Sequence, residues 1–121
     1  RYTATQVSAD KANIIIAARN EEMHIGHCLE SLLAQDFPRS QMEIIVVDDH
    51  SNDSTAVIVQ RFSEQGVRLI QMENQSAFGK KAAIARGIDA ATHDIIITTD
   101  ADCSCPNNWI NTLLTYQEKK Y

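Results

Sequence analysis

Asp94-Ile95-Ile96-Ile97-Thr98-Thr99-Asp100-Ala101-Asp102 is an apolar run of strand length that ends on two carboxylates one residue apart. A short, Ile-rich run of this kind reads as a buried strand. In an open α/β sheet, ligands bind outside the carboxyl ends of the strands. Earlier in the chain, Glu43-Ile44-Ile45-Val46-Val47 ends in the same way, on Asp48-Asp49. A carboxylate pair can hold a divalent cation, and a cation can hold a diphosphate. Two acidic strand ends in one small domain therefore point to a nucleotide-and-metal site more than to packing.

Outward from these runs, strands and helices alternate. Asn13 to Ala18 (NIIIAA) is a first buried strand. Asn20-Glu21-Glu22 is expected to open a helix, with Asn20 as its cap and the glutamates at the positive end of the dipole. Ile25, Leu29, Leu32 and Leu33 recur at helical spacing, so they mark its inner face. Asp36-Phe37-Pro38 ends it, because Pro restricts the residue before it. Ile44 to Asp48 is the second strand. His50-Ser51-Asn52-Asp53 is turn chemistry, and Asp53 or Ser51 can cap a helix that runs to about Glu64 with Val57, Ile58 and Phe62 inward. Gly66 closes it. Val67 to Met72 is the third strand, Glu73 to Ala77 a polar loop, and Gly79 precedes a helix over Lys80 to Ala91. Asp94 to Thr99 is the fourth strand. Pro106 is expected to start a last helix through Trp109, Leu113 and Leu114.

This order predicts an α/β fold, a Rossmann-like, mostly parallel sheet with helices on both faces. The strand-to-helix loops should then share one rim. They carry Arg19-Asn20-Glu21, Asp48-Asp49-His50, Gly79-Lys80-Lys81 and Asp100-Ala101-Asp102.

With 121 residues, 44% apolar and 22% charged, the chain has the composition of one globular domain. A net charge of -5 disfavours nucleic acid as a partner. No run approaches the ~18 apolar residues of a membrane span. The chain begins at Arg1 and stops at Tyr121 within an expected helix, so it reads as a piece cut from a longer protein. Cys28, Cys103 and Cys105 are too few and too odd in number for a disulfide framework. They read as reduced, partly buried thiols of a cytosolic protein.

In the fourth loop, one carboxylate can meet a hard cation such as Mg²⁺ while the other accepts from a ribose hydroxyl. Asp100 is poorly placed as a helix cap, because Pro106 puts the next start several residues on. Asp49 can accept from a uracil imide or a sugar hydroxyl, and Asp48 can support the turn with Ser51 and Asn52. Gly79-Lys80-Lys81 before a helix attracts phosphate, although it lacks P-loop spacing. His24, His27, His50 and His93 show no metal-site spacing and read as non-catalytic. His50 is the one expected nearest a ligand.

The ordered stretches NIIIAARNEE, CLESLLAQDFP, EIIVVDDHSNDST and GKKAAIARGIDAATHDIIITTDADC resemble the nucleotide-binding half of inverting nucleotide-sugar glycosyltransferases, the family 2 group with the GT-A type fold. The resemblance spans about residues 12 to 115 and implies a truncated GT-A domain. Residues 1–12 would be a polar lead-in and 13–121 the nucleotide-sugar-binding part. It implies that Asp49 contacts the base, that Ala17 (through backbone) and Arg19 lie beside it, and that Lys80 or Lys81 approaches the nucleotide. Asp100 would meet the ribose, and Asp102 would ligate Mg²⁺ or Mn²⁺ at the diphosphate. The implied partner is a nucleoside-diphosphate sugar, with uridine the favoured base. The general base and most of the acceptor site would lie beyond residue 121. A cytoplasmic location is implied, on the cytoplasmic face of a membrane through other parts of the parent. His50 stands where the family often has glycine, and Ala85 where an asparagine is common.

Two other classes fit part of the pattern. Haloacid-dehalogenase-type phosphatases use a strand-Asp-x-Asp with the first Asp as nucleophile, here Asp100, but on the first strand of their domain. Receiver-like signalling modules share the length and the alternation, but carry acids on their first and third strands. A domain kept for interaction alone is a third possibility.

Overall fold

The computed structural model describes residues 11–73, 78–93 and 95–119, with side chains up to Leu114. The expected lead-in up to Asp10, the loop positions 74–77, Asp94 and the last two residues lie outside the described residues.

Four strands form the sheet: β1 (Ala12–Ala18), β2 (Met42–Asp48), β3 (Val67–Gln71) and β4 (Ile95–Asp100). Their spatial order is β3-β2-β1-β4, and every neighbouring pair is parallel. The helices are α1 (Ile25–Leu33), α2 (Thr55–Gln60), α3 (Gly79–Ala90) and α4 (Trp109–Lys119). Single 3₁₀ turns, Arg39–Gln41 and Ser63–Gln65, lead into β2 and β3.

The alternation of side chains along a strand divides the core in two. Ile14, Ile16, Ile44 and Val46 face α1, α2 and α4 with Cys28, Leu29, Leu32, Val59, Ile110 and Leu114. Ile15, Ile45 and Val47 face α3 through Ala83. The expected parallel sheet with helices on both faces is therefore present. The isoleucines of β1 are fully buried, and each such side chain contributes about 1.5–3 kcal/mol relative to exposure.

The order reverses direction at β1. Units β1-α1-β2 and β2-α2-β3 build outward one way, and α3 then carries the chain back across the other face to β4. A right-handed crossover requires that change of face. The reversal leaves a crevice outside the carboxyl ends of β1 and β4, the place where open α/β sheets bind ligands.

Several expected details differ. α1 begins at Ile25, not at Asn20. Asn20 has φ 53°, a left-handed conformation that Asn tolerates better than most residues. It joins loops instead of capping: its N–H donates to Ser51 Oγ (2.9 Å) and its Oδ1 accepts from Asn52 N–H (2.7 Å). Glu21 N–H donates to Thr55 Oγ1 (2.9 Å), and Ser54 N–H donates to Glu22 Oε1 (3.0 Å). The first two strand-to-helix loops are thereby tied together. In α2 the inner stripe is Thr55 and Val59, with Ile58 and Phe62 beside them, whereas Val57 is 53% exposed. Pro106 lies before α4 and accepts from Trp109 N–H (3.0 Å) in a preceding turn.

Candidate functional site

The crevice is a cavity of about 450 Å³ lined by Ala17, Ala18, Arg19, Glu21, Asp49, Gly79, Lys80, Asp100, Ala101 and Asp102. All four strand-to-helix loops contribute to it. Of the expected site residues, Ala17, Arg19, Asp49, Lys80, Asp100 and Asp102 line this cavity together. Lys81 is exposed and does not line it.

Local sequence explains how each group is aimed. Ala101 is buried in the core beneath the loop, so its flanking acids project outward. Asp100 is more than half exposed and Asp102 is exposed. Lys80, on the first turn of α3, reaches across and donates to Asp100 Oδ1. That hydrogen bond, together with the charge of Asp100, raises the ammonium's pKa above its ordinary value.

Asp49 is only 3% exposed although it lines the cavity. Its Oδ2 accepts from Gly79 N–H (2.9 Å), and its Oδ1 accepts from His50 Nδ1 (2.8 Å). Asp48, also buried, accepts from Ser51 N–H (3.1 Å) through Oδ1, which is the supporting role expected for it. His50 does not line the cavity: it packs on Phe78 with ring centroids 4.8 Å apart.

The acidic loop rests on α1. Cys28 Sγ donates to the carbonyl of Asp100 (3.6 Å), and Cys103 N–H donates to the same oxygen (3.1 Å). Ser31 Oγ donates to Cys28 O (2.8 Å) and accepts from Cys105 N–H (3.0 Å). Gln35, buried, donates through Nε2 to the carbonyl of Pro106 and accepts from Ile110 N–H (2.9 Å) at the first turn of α4. Ser31 and Gln35 carried no expected role. Their only trace in sequence is polarity on, or just after, a helix whose inward positions are apolar, a signal shared by many surface residues. All three cysteines are free thiols. Burial, helped by the neighbouring Cys105 and Cys103, pushes the Cys28 thiol up to about 12. Burial raises Cys105 too, with Cys103 beside it.

The donor set suits a hard cation only in part. Among the described residues, no three His, Cys, Asp or Glu side chains come together to hold a metal. The rim offers two carboxylates, which fits a Mg²⁺-like ion that takes its other ligands from phosphate and water.

A parallel α/β sheet with an acid-lined crevice at its switch point is a ligand-binding architecture in general terms, and comparison with known proteins makes the class specific. Residues 13–121 match the model of Glycosyl transferase family 2. The chain belongs to that family. It is 33% identical over 98 residues to "Glycosyltransferase AglE" of Haloferax volcanii, covering 81% of this chain and 32% of the relative. The "Beta-monoglucosyldiacylglycerol synthase" of Synechocystis is 27% identical over 115 residues, covering 93% of this chain and 24% of that enzyme. Among solved structures, S. aureus TarS 1-349 in complex with UDP superposes with a TM-score of 0.79 at 26% identity, covering 90% of this chain and 32% of TarS. The mannosyltransferase PcManGT from Pyrobaculum calidifontis, in complex with GDP-Man and Mn²⁺, gives 0.72 at 31% identity, covering 79% and 28% of the two chains. The chain thus spans about a third or less of the relatives it matches. The GT-A fold is established, and the phosphatase and receiver readings are left without support.

Proposed function

We propose that this chain is the donor-binding part of a glycosyltransferase that takes a nucleoside-diphosphate sugar and passes the sugar, with inversion, to an acceptor hydroxyl. The observation that carries the reading is the convergence of Asp49, Lys80, Asp100 and Asp102 on one cavity at the β1/β4 switch point.

Base, ribose and diphosphate each find chemistry there. Asp49 has carboxylate lone pairs free beyond the two already used, and these can accept from the imide N–H of uracil. Uridine is the base we propose, in keeping with the UDP held by TarS. Ala17 and Arg19 lie beside the base. Asp100 can accept from a ribose hydroxyl. Lys80, and at longer reach Lys81, supplies charge for the diphosphate. Asp102, with Asp100 next to it, is the residue to hold Mg²⁺ or Mn²⁺. The chemistry such an ion supplies when bound is neutralisation of the charge that grows on the leaving nucleoside diphosphate. Lys80 keeps two ammonium N–H donors beyond the one given to Asp100, and these can donate to phosphate. We place the general base, the acceptor site and any membrane attachment in other parts of the parent protein, and the site itself on the cytoplasmic side. Among the described residues no helix is long and apolar enough to cross a membrane.

Calorimetric titration of UDP and GDP, each with and without Mn²⁺, tests this reading on the chain and on Asp102→Ala. The expected result is UDP binding that needs Mn²⁺ and weakens by about tenfold or more in the variant, the scale of a lost contact to a charged group. Binding of equal strength with the metal chelated, or unchanged in Asp102→Ala, would refute the metal role. A preference for GDP would correct the base.

A further inference from the structure

His50 is an unusual residue for its place. Its φ is 61°, a left-handed conformation that is uncommon outside glycine and concentrates at functional sites when other residues adopt it. The side chain is mostly buried. A carboxylate only accepts, so the bond to Asp49 makes Nδ1 the donor. Nε2 is then left buried with no partner among the described residues. An imidazole that satisfies one nitrogen and strands the other is a poor choice for stability alone. The ring stacks on Phe78, the residue just before α3, and Asp49 also accepts from Gly79 N–H at the start of that helix. A single linkage therefore runs from the end of β2, through His50 and Asp49, to the first residues of α3.

We propose that His50 is a positioning residue for nucleotide binding: it fixes the Asp49 carboxylate toward the base, without touching the ligand. The inference rests on the proposed contact between Asp49 and the base. Its consequence is selective. Asp49 follows β2 and Asp100 ends β4, on either side of β1, so His50 acts on the β2 side of the cavity, whereas Asp100 and Asp102 stand on the β4 side, on a loop supported by α1. Loss of the imidazole should weaken recognition of the nucleoside and leave the diphosphate end unchanged.

The test compares wild type with His50→Gly, His50→Asn and Asp49→Asn, titrating each 121-residue chain with UDP plus Mg²⁺ and with inorganic pyrophosphate plus Mg²⁺. Glycine accepts the left-handed backbone without strain but removes the ring. Asparagine tolerates that backbone and presents an amide N–H about where Nδ1 lies. His50→Gly is expected to weaken UDP about five- to tenfold, the loss of one charge-assisted hydrogen bond and its ordering. Pyrophosphate should stay within about twofold, and His50→Asn should recover UDP binding to within about twofold of wild type. UDP binding by His50→Gly equal to wild type overturns the proposal. So does an equal loss for UDP and pyrophosphate, which would mark a general structural role, and so does failure of asparagine to rescue. If Asp49→Asn binds UDP normally, the base contact itself is wrong and the His50 proposal falls with it. If His50→Gly alone is silent, the base contact survives.

Discussion

Asp49 keeps a carboxylate in a place that is 3% exposed, which costs free energy unless its oxygens are bonded. The backbone N–H of Gly79 and the imidazole of His50 supply those bonds. Cys28 and Cys105 show the opposite solution, groups kept neutral by burial. Alkylation needs thiolate, so at pH 8 iodoacetamide should add one equivalent, at the exposed Cys103, while Cys28 and Cys105 react only on unfolding. Mass spectrometry of the labelled chain decides it, and prompt labelling of Cys28 would count against the packing beneath the acidic loop. The sign of the linkage follows from the direction of the shift. Folding favours the protonated Cys28 thiol, so that contribution is complete below the ordinary value of 9.0 and is lost as pH climbs from there toward about 12. At this scale the acids of the site were legible, because Asp49, Asp100 and Asp102 end apolar runs whose length betrays a strand. Ser31 and Gln35 were not, since a polar residue on a helix or just past its end reveals nothing of what it bonds to some 75 residues later in the chain. The left-handed backbone of His50 was equally hidden, because its residue type gives weak warning of φ.

At the scale of elements, α3 lies close on the sheet because Gly87 has no side chain. A Cβ there would come within 2.5 Å of Ile15 Cγ2 and 3.2 Å of Val47 Cγ2. Both neighbours are β-branched side chains buried in the two central strands, with little room to rotate away. Gly87→Ala gains about 1 kcal/mol of helix propensity, yet overpacking costs about 1–3 kcal/mol. A net loss is expected, read as a lower urea midpoint at unchanged slope; a raised midpoint would mean that α3 shifts freely. The element types and their order were legible, since Ile-rich runs and helical spacing alternate without ambiguity. The boundaries were less so. Asn20 has cap chemistry, but the loop around Ser51 and Asn52 competes for its hydrogen bonds and wins. Val57 matched an apolar face in a short segment where two readings of the period differ by one residue, and the packing of Thr55 and Val59 under the sheet settles the choice. Pro106 could start a helix, but Gln35 holds its carbonyl and delays α4 to Trp109.

At the scale of the molecule, a four-stranded parallel sheet places the ends of β1 and β4 side by side, and that adjacency makes the cavity. Alternating strands and helices foretold a parallel sheet. They did not foretell which strands would neighbour, because strand order depends on the crossover of α3 and not on any local pattern. The convergence of the four loops follows from that order, and paramagnetic broadening reads it out in solution. UDP with a small fraction of Mn²⁺ would be added to the labelled chain, and the amide resonances followed by NMR. The amides of Arg19, Asp49, Gly79, Lys80, Ala101 and Asp102 should broaden first and together, while Gly66 and Thr92, at the amino ends of β3 and β4, stay sharp. Broadening confined to Ala101 and Asp102, or spread evenly over the chain, would show that the acids of the two strand ends do not share one metal-bound nucleotide.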